Sequence, residues 1–140
     1  MIYYAYYTNT GRYVQSGTAV SEVSEDDIPA GCFVYYGKVN AGSQYHNLAT
    51  DAPADMGTPP DEGYEFDYTS KTWQPNLAYL FHITRDRRDQ LLTESDWTQL
   101  PRSPLTVEQQ ETWAAYRQEL RDVPQQSGFP LTIVWPTPPA

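Results

Sequence analysis

The sequence reads as an α+β chain: a small antiparallel β-sheet of hairpins, then a helical hairpin, then an extended proline-rich tail. Three observations lead there. Ten of the twelve tyrosines precede residue 78, and aromatic side chains suit a pleated, half-buried surface. The apolar pattern switches from alternation to helical spacing near Pro75. Pro130, Pro136, Pro138 and Pro139 force extended or polyproline backbone at the end. At 140 residues the chain suits one ordinary domain or two small ones. The composition shift favours two: a β-rich domain over 1–77 and a helical-hairpin module with its apolar tail over 78–140.

Tyr3, Tyr4, Tyr6 and Tyr7 open the chain, and Asn9-Thr10-Gly11 makes a turn. A strand from about Arg12 to Val20 pairs back as a hairpin. Phe33-Val34-Tyr35-Tyr36 signals another strand. Asn40-Ala41-Gly42 turns the chain before Tyr45 and His46, and Pro53, Pro59 and Pro60 mark an irregular connector. Tyr64-Glu65-Phe66-Asp67-Tyr68 alternates like a half-buried strand, Thr69-Ser70-Lys71 turns, and Thr72-Trp73-Gln74 returns. Pro75-Asn76-Leu77 is the expected boundary.

Beyond it, Thr84 is placed to cap a helix over about 84–95, with Arg88, Leu91, Leu92 and Ser95 on one face. Asp96-Trp97 ends that helix, and Pro101 and Pro104 keep the link extended. A second helix over 106–122 starts at Thr106, where Gln109 completes a capping box. Gln109, Trp113, Tyr116 and Leu120 share a stripe, with Arg117 beside it. Arg117 has two candidate partners, the Trp113 ring and the Asp96 carboxylate. Val123-Pro124 stops the helix. In the tail, Ile133, Val134 and Trp135 are too apolar to sit idle. Either the tail folds back so that Trp135 covers the hairpin, or it adds to an edge of a partner sheet.

Charge and composition exclude several function classes. The net charge is −9, and the excess lies in residues 1–77, which hold three basic and ten acidic residues. Such a surface repels phosphate, so neither nucleic acid nor an anionic membrane is an expected partner. No apolar run reaches membrane-span length, and MIYYAYYTNTGR lacks the features of a secretory signal. One cysteine, Cys32, allows no internal disulfide and fits a reducing cytoplasm. With one Cys and two scattered histidines, His46 and His82, no metal-ligand spacing exists. No phosphate-cradling glycine loop is present. Glu25-Asp26-Asp27 reads as a solvated loop rather than a catalytic pair. No enzymatic activity, metal or cofactor is expected.

The stretch RDRRDQLLTESDWTQLPRSPLTVEQQETWAAYRQELRDVP, followed after a spacer by IVWPTPP, resembles the C-terminal module of phage tail assembly chaperones. It is more loosely similar to tail fibre assembly proteins that end in a WxxYR helix and a WPxxP tail. The residues carrying the resemblance are Asp96, Trp97, Trp113, Tyr116, Arg117, Leu120, Arg121, Asp122, Pro124, Trp135 and Pro136. Arg102 departs from the pattern, which tends to have an acid after the linker's leucine–proline. The resemblance implies a chaperone that binds a phage tail or tail fibre protein in the host cytoplasm. The alternative is a structural virion component that stays on the fibre or baseplate. A third reading, a receptor- or glycan-binding module, is permitted by the aromatic surface. Trp, Tyr and Arg dominate binding hot spots, so the candidate partner-binding residues are Trp97, Trp113, Tyr116, Arg117, Arg121 and Trp135. The competing reading makes the aromatic stripe simply the hairpin core.

Overall fold

A computed structural model describes residues 1–140 and has the α+β class expected from the sequence. The chain forms two compact units, Met1–Gln74 and Pro75–Ala140.

In the first unit, β1 (Ile2–Thr8) is central, flanked by β2 (Tyr13–Ala19) and β3 (Cys32–Tyr35), both antiparallel to it. Ala5 faces Ser16 on one side and Tyr35 on the other. The strand buries Ala5 and Tyr6, which lie on opposite faces of the pleat. The loop between β2 and β3 is tied to the sheet by the Val23 N–H, which donates to the Tyr36 hydroxyl at 3.0 Å.

Two hairpins follow: β4 (Gln44–Asn47) with β5 (Ala52–Asp55), and β6 (Tyr64–Asp67) with β7 (Thr72–Pro75). Their turns share a plan. Asn47 accepts from the Ala49 N–H and Asp67 from the Thr69 N–H, each through its side-chain oxygen. Asp51 and Lys71 then close the two turns at positive φ. Pro53 lies within β5 rather than in an irregular connector. It stands opposite His46, whose N–H turns away from β5 to the Gly11 carbonyl at 2.8 Å. Pro53 therefore sits where the ladder asks β5 for no N–H, a position that proline tolerates.

The unit is organised around His46, which is fully buried. Its ring stacks on Tyr7 at 3.8 Å and lies close to Tyr13 and Tyr35. Nε2 is 2.9 Å from the Asp51 carboxylate and Nδ1 is 3.0 Å from the Tyr13 hydroxyl. A carboxylate only accepts, so Nε2 carries the proton and Nδ1 accepts from Tyr13. Gly11 brings the first turn against this strand: at φ +81 its missing Cβ would fall 2.1 Å from the His46 carbonyl oxygen. Lys71 reaches from the third hairpin to the carbonyls of Thr10 and Tyr68, with its ammonium 4.9 Å from the Tyr45 ring. Burial lowers its pKa, partly offset by Asp67. Phe66 joins the hairpins, stacked on Tyr45 and edge-on to Tyr68 and Trp73.

In the second unit, α1 spans Leu77–Glu94 and α2 spans Val107–Asp122. α1 begins roughly two turns before the expected start. Asn76 caps it, accepting from the Tyr79 N–H, and Thr84 lies buried mid-helix instead of capping. Asn76 lies in the expected boundary Pro75-Asn76-Leu77 and is also the stronger cap. The capping box at Thr106 and Gln109 forms as the spacing predicts. Gln109 is spent on that box and exposed. The inward stripe of α2 is Trp113, Tyr116, Arg117 and Leu120, continued by Val123 in the following 3-10 turn.

The tail returns through a tight turn. The Thr132 N–H donates to the Gly128 carbonyl at 2.7 Å, and a Cβ on Gly128 would lie 2.3 Å from the Thr132 oxygen. Phe129 packs on Phe81 and Pro130 is buried, so these residues belong to the unit's core.

Burial pushes the Tyr13 phenol up to about 12, with Tyr35, Tyr7 and Asp51 adding to the shift. A raised acid pKa in the folded state contributes stability that is complete below pH 10 and is lost as pH climbs towards 12. A pH titration of near-ultraviolet dichroism should show the first unit loosening in that window. Tyr13→Phe should remove part of this alkaline dependence and cost about 1 kcal/mol at neutral pH, through the hydrogen bond lost at His46.

Candidate functional site

The helical unit contains the six candidate partner-binding residues, and the structure gives them different roles. Arg117 is 8 % exposed and points at the end of α1. Nη1 donates to the Leu92 carbonyl at 2.6 Å and to the Ser95 hydroxyl at 2.7 Å, and Nη2 donates to the Asp96 carboxylate at 2.7 Å. The last carbonyls of a helix lack intrahelical donors and carry a partial negative charge, so a cation there is doubly favoured. Of its two expected partners, Arg117 takes Asp96. Ser95 serves the same junction from the other side, its hydroxyl within hydrogen-bond range of the Leu91 and Leu92 carbonyls. Thr98, fully buried, donates to the Ser95 carbonyl and fixes the 3-10 turn Asp96–Gln99.

That turn sets the position of Trp97. Trp97, Trp113 and Tyr116 form a chain of rings: Trp97 to Trp113 at 6.2 Å, and Trp113 to Tyr116 at 5.6 Å, edge-on. Exposure grades along it. Tyr116 is buried, Trp113 half-buried, and Trp97 is 45 % exposed. Burial raises the Tyr116 pKa, and the Glu94 carboxylate adds to the rise. The inner end of the stripe is therefore core, while its outer end is open to solvent. Arg121 lies one turn beyond Arg117, exposed, with the Gln118 side chain 3.4 Å away. Trp135, in the tail, stays 36 % exposed.

The tail lies on the helical hairpin. Val134 is gripped on both backbone groups by one side chain: its N–H donates to Gln126 Oε1 at 2.9 Å, and Gln126 Nε2 donates to its carbonyl at 2.8 Å. From there the chain runs antiparallel to α2. Pro138 lines a groove of about 250 Å³ with Leu91, Glu94, Ser95, Trp113 and Tyr116. Pro139 and Ala140 line a neighbouring one with Gln109, Thr112 and Trp113.

Helical spacing puts Ser95 on one face with Arg88, Leu91 and Leu92, but nothing in the sequence links it to Arg117, and nothing singles out Gln126. A side-chain amide that grips backbone eight residues on leaves no pattern in the sequence. No group of three or more His, Cys, Asp or Glu side chains is arranged to hold a metal ion, and no helix is long and apolar enough to cross a membrane.

Arg117→Met removes the cation that serves the Leu92 carbonyl and the buried Ser95 hydroxyl, and should cost about 3 kcal/mol in denaturant unfolding. Asp96→Asn should cost only about 1 kcal/mol, because that carboxylate is largely exposed and the guanidinium keeps its other two partners. The two tryptophans should also separate. Trp113→Ala should lower the melting temperature clearly, whereas Trp97→Ala should leave it within the scatter of surface substitutions, about 0.5 kcal/mol.

Comparison with known proteins bears on this unit. Residues 82–140 match the family model described as phage tail assembly chaperone protein. No curated protein and no solved structure matches the chain. The matched stretch takes in most of α1, the Arg117 junction, all of α2 and the tail. Residues 82–140, under half of the chain, are thus similar to the phage tail assembly chaperones, which supports a role in tail assembly.

Proposed function

We propose that the protein is an accessory chaperone that binds a phage tail or tail fibre protein in the host cytoplasm and assists its folding or assembly. The observation that carries this reading is the family match over residues 82–140, on a unit whose aromatic chain ends in an exposed tryptophan. Trp97, Trp113, Arg121 and Trp135 make the contact, and Tyr116 and Arg117 hold the frame that presents them. The partner offers apolar surface or unpaired strand edges before its subunits assemble, and covering these prevents aggregation. The free energy comes from binding alone. No nucleotide or other cofactor takes part.

The first unit favours a second reading. Tyr3, Phe33 and Tyr36 are exposed large aromatics on or beside one small sheet. Tyrosine gives wide contact area with few rotors, which suits a permanent interface in the virion.

Co-expression with the cognate tail fibre or tail protein should raise the partner's soluble yield. Trp97→Ala with Trp135→Ala should reduce that gain while the chain stays folded. Mass spectrometry of purified particles should find the chain absent or substoichiometric. A fixed copy number matching the symmetry of the tail would instead establish the virion component, and no gain in soluble partner would sink the chaperone reading.

A further inference from the structure

The tail is held lightly for a segment so apolar. Beyond the Gln126 grip on Val134, no hydrogen bond fixes it. Val134 is 76 % exposed, and Pro138 and Ala140 are exposed too. Open space remains beside Pro138 and Pro139, about 250 and 210 Å³, along walls made by Trp113, Tyr116 and Leu91. The helical hairpin thus has an aromatic-walled groove, and its own WPTPP segment occupies that groove without filling it.

Aromatic-walled grooves suit proline-rich extended chain, because a polyproline segment is already ordered and loses little entropy on docking. The chemistry of the resident segment shows what the groove accepts. We propose that the Leu91–Trp113–Tyr116 groove is a docking site for an extended, proline-bearing segment of the partner, with this chain's residues Val134–Ala140 as the built-in competitor that the partner displaces. The inference rests on the chaperone reading for who supplies the segment, but not for the existence of the site.

Gln126 is the lever in this arrangement. Its amide sets the tail's register against α2, and it is free to offer the same two hydrogen bonds to the backbone of an incoming strand. An incoming segment that pairs with Gln126 and also fills the space beside Trp113 gains more than the tail does.

The test uses the peptide Thr132–Ala140, labelled at its N-terminus, and fluorescence anisotropy. The chain truncated after Ile133 keeps Phe129 and Pro130 in the core and should bind the peptide saturably. The full chain should bind it at least about tenfold more weakly, since a short tether presents the tail at roughly millimolar effective concentration. Full-length Gln126→Ala, with the tail loosened but present, should fall between the two, and this variant decides the matter if the truncated chain does not fold. Trp113→Leu in the truncated chain should abolish binding. Equal affinity for full-length and truncated chains, or binding that survives Trp113→Leu, would overturn the proposal. So would failure of both the truncated chain and Gln126→Ala to bind. None of these outcomes touches the co-expression result, so the groove and the chaperone reading fail separately.

Discussion

Arg117 brings a positive charge to the end of α1, where carbonyl oxygens have run out of helical partners, and the geometry of the helical unit follows from that placement. The guanidinium takes one carbonyl, one hydroxyl and one carboxylate from three neighbouring residues, Leu92, Ser95 and Asp96. Three directed bonds fix both where α2 crosses α1 and how far it is rotated. The rotation turns Trp113 and Tyr116 inward and leaves Trp97, on the turn just after Asp96, at the outer end of the ring chain. A leucine at position 117 could supply burial there. It could not tell the hairpin which way to close.

The β-rich unit meets the same constraint with a different side chain. Its buried apolar residues are few: Ala5, Tyr6, Tyr13 and Met56. So small a core leaves little hydrophobic free energy to set against chain entropy. His46 compensates by gathering four elements: it lies on β4, stacks on β1, accepts from β2 and sits beside β3. Both units are thus small cores specified by one buried polar group: His46 has both ring nitrogens engaged, and Arg117 makes three directed bonds. The cost of breaking such a group once buried is what makes the arrangement specific.

Much of this was legible in the sequence because it is local. Tyrosine-rich alternation marked the strands, and the Thr106–Gln109 spacing marked the start of α2 because a capping box is complete within four residues. The start of α1 departs from the expected one for an equally local reason. Asn76 follows a proline, and both residues signal a turn as readily as a helix start. The stripe expected on α2 includes Gln109, which the structure leaves outside it, since a capping residue and a core residue can share a helical face by spacing alone. The Arg117–Asp96 pair was visible as one of two options, and only the placement of α1 decides between them. What stayed hidden was non-local: His46 gathering four elements, and the tail lying back on α2. Pro53 in a strand broke a sound rule, and it is tolerated only because His46 bonds to Gly11 instead.

Gln126 hydrogen-bonds the main chain of Val134 and not its side chain. Such a clasp is indifferent to which side chain follows, so long as the peptide units fall in step with α2. Mutation along the tail can therefore change its grip on Trp113 gradually, without ever losing alignment. In evolutionary terms the last seven residues are an adjustable dial on a fixed axle, which a lineage could turn to make the groove easier or harder to open as its partner changes.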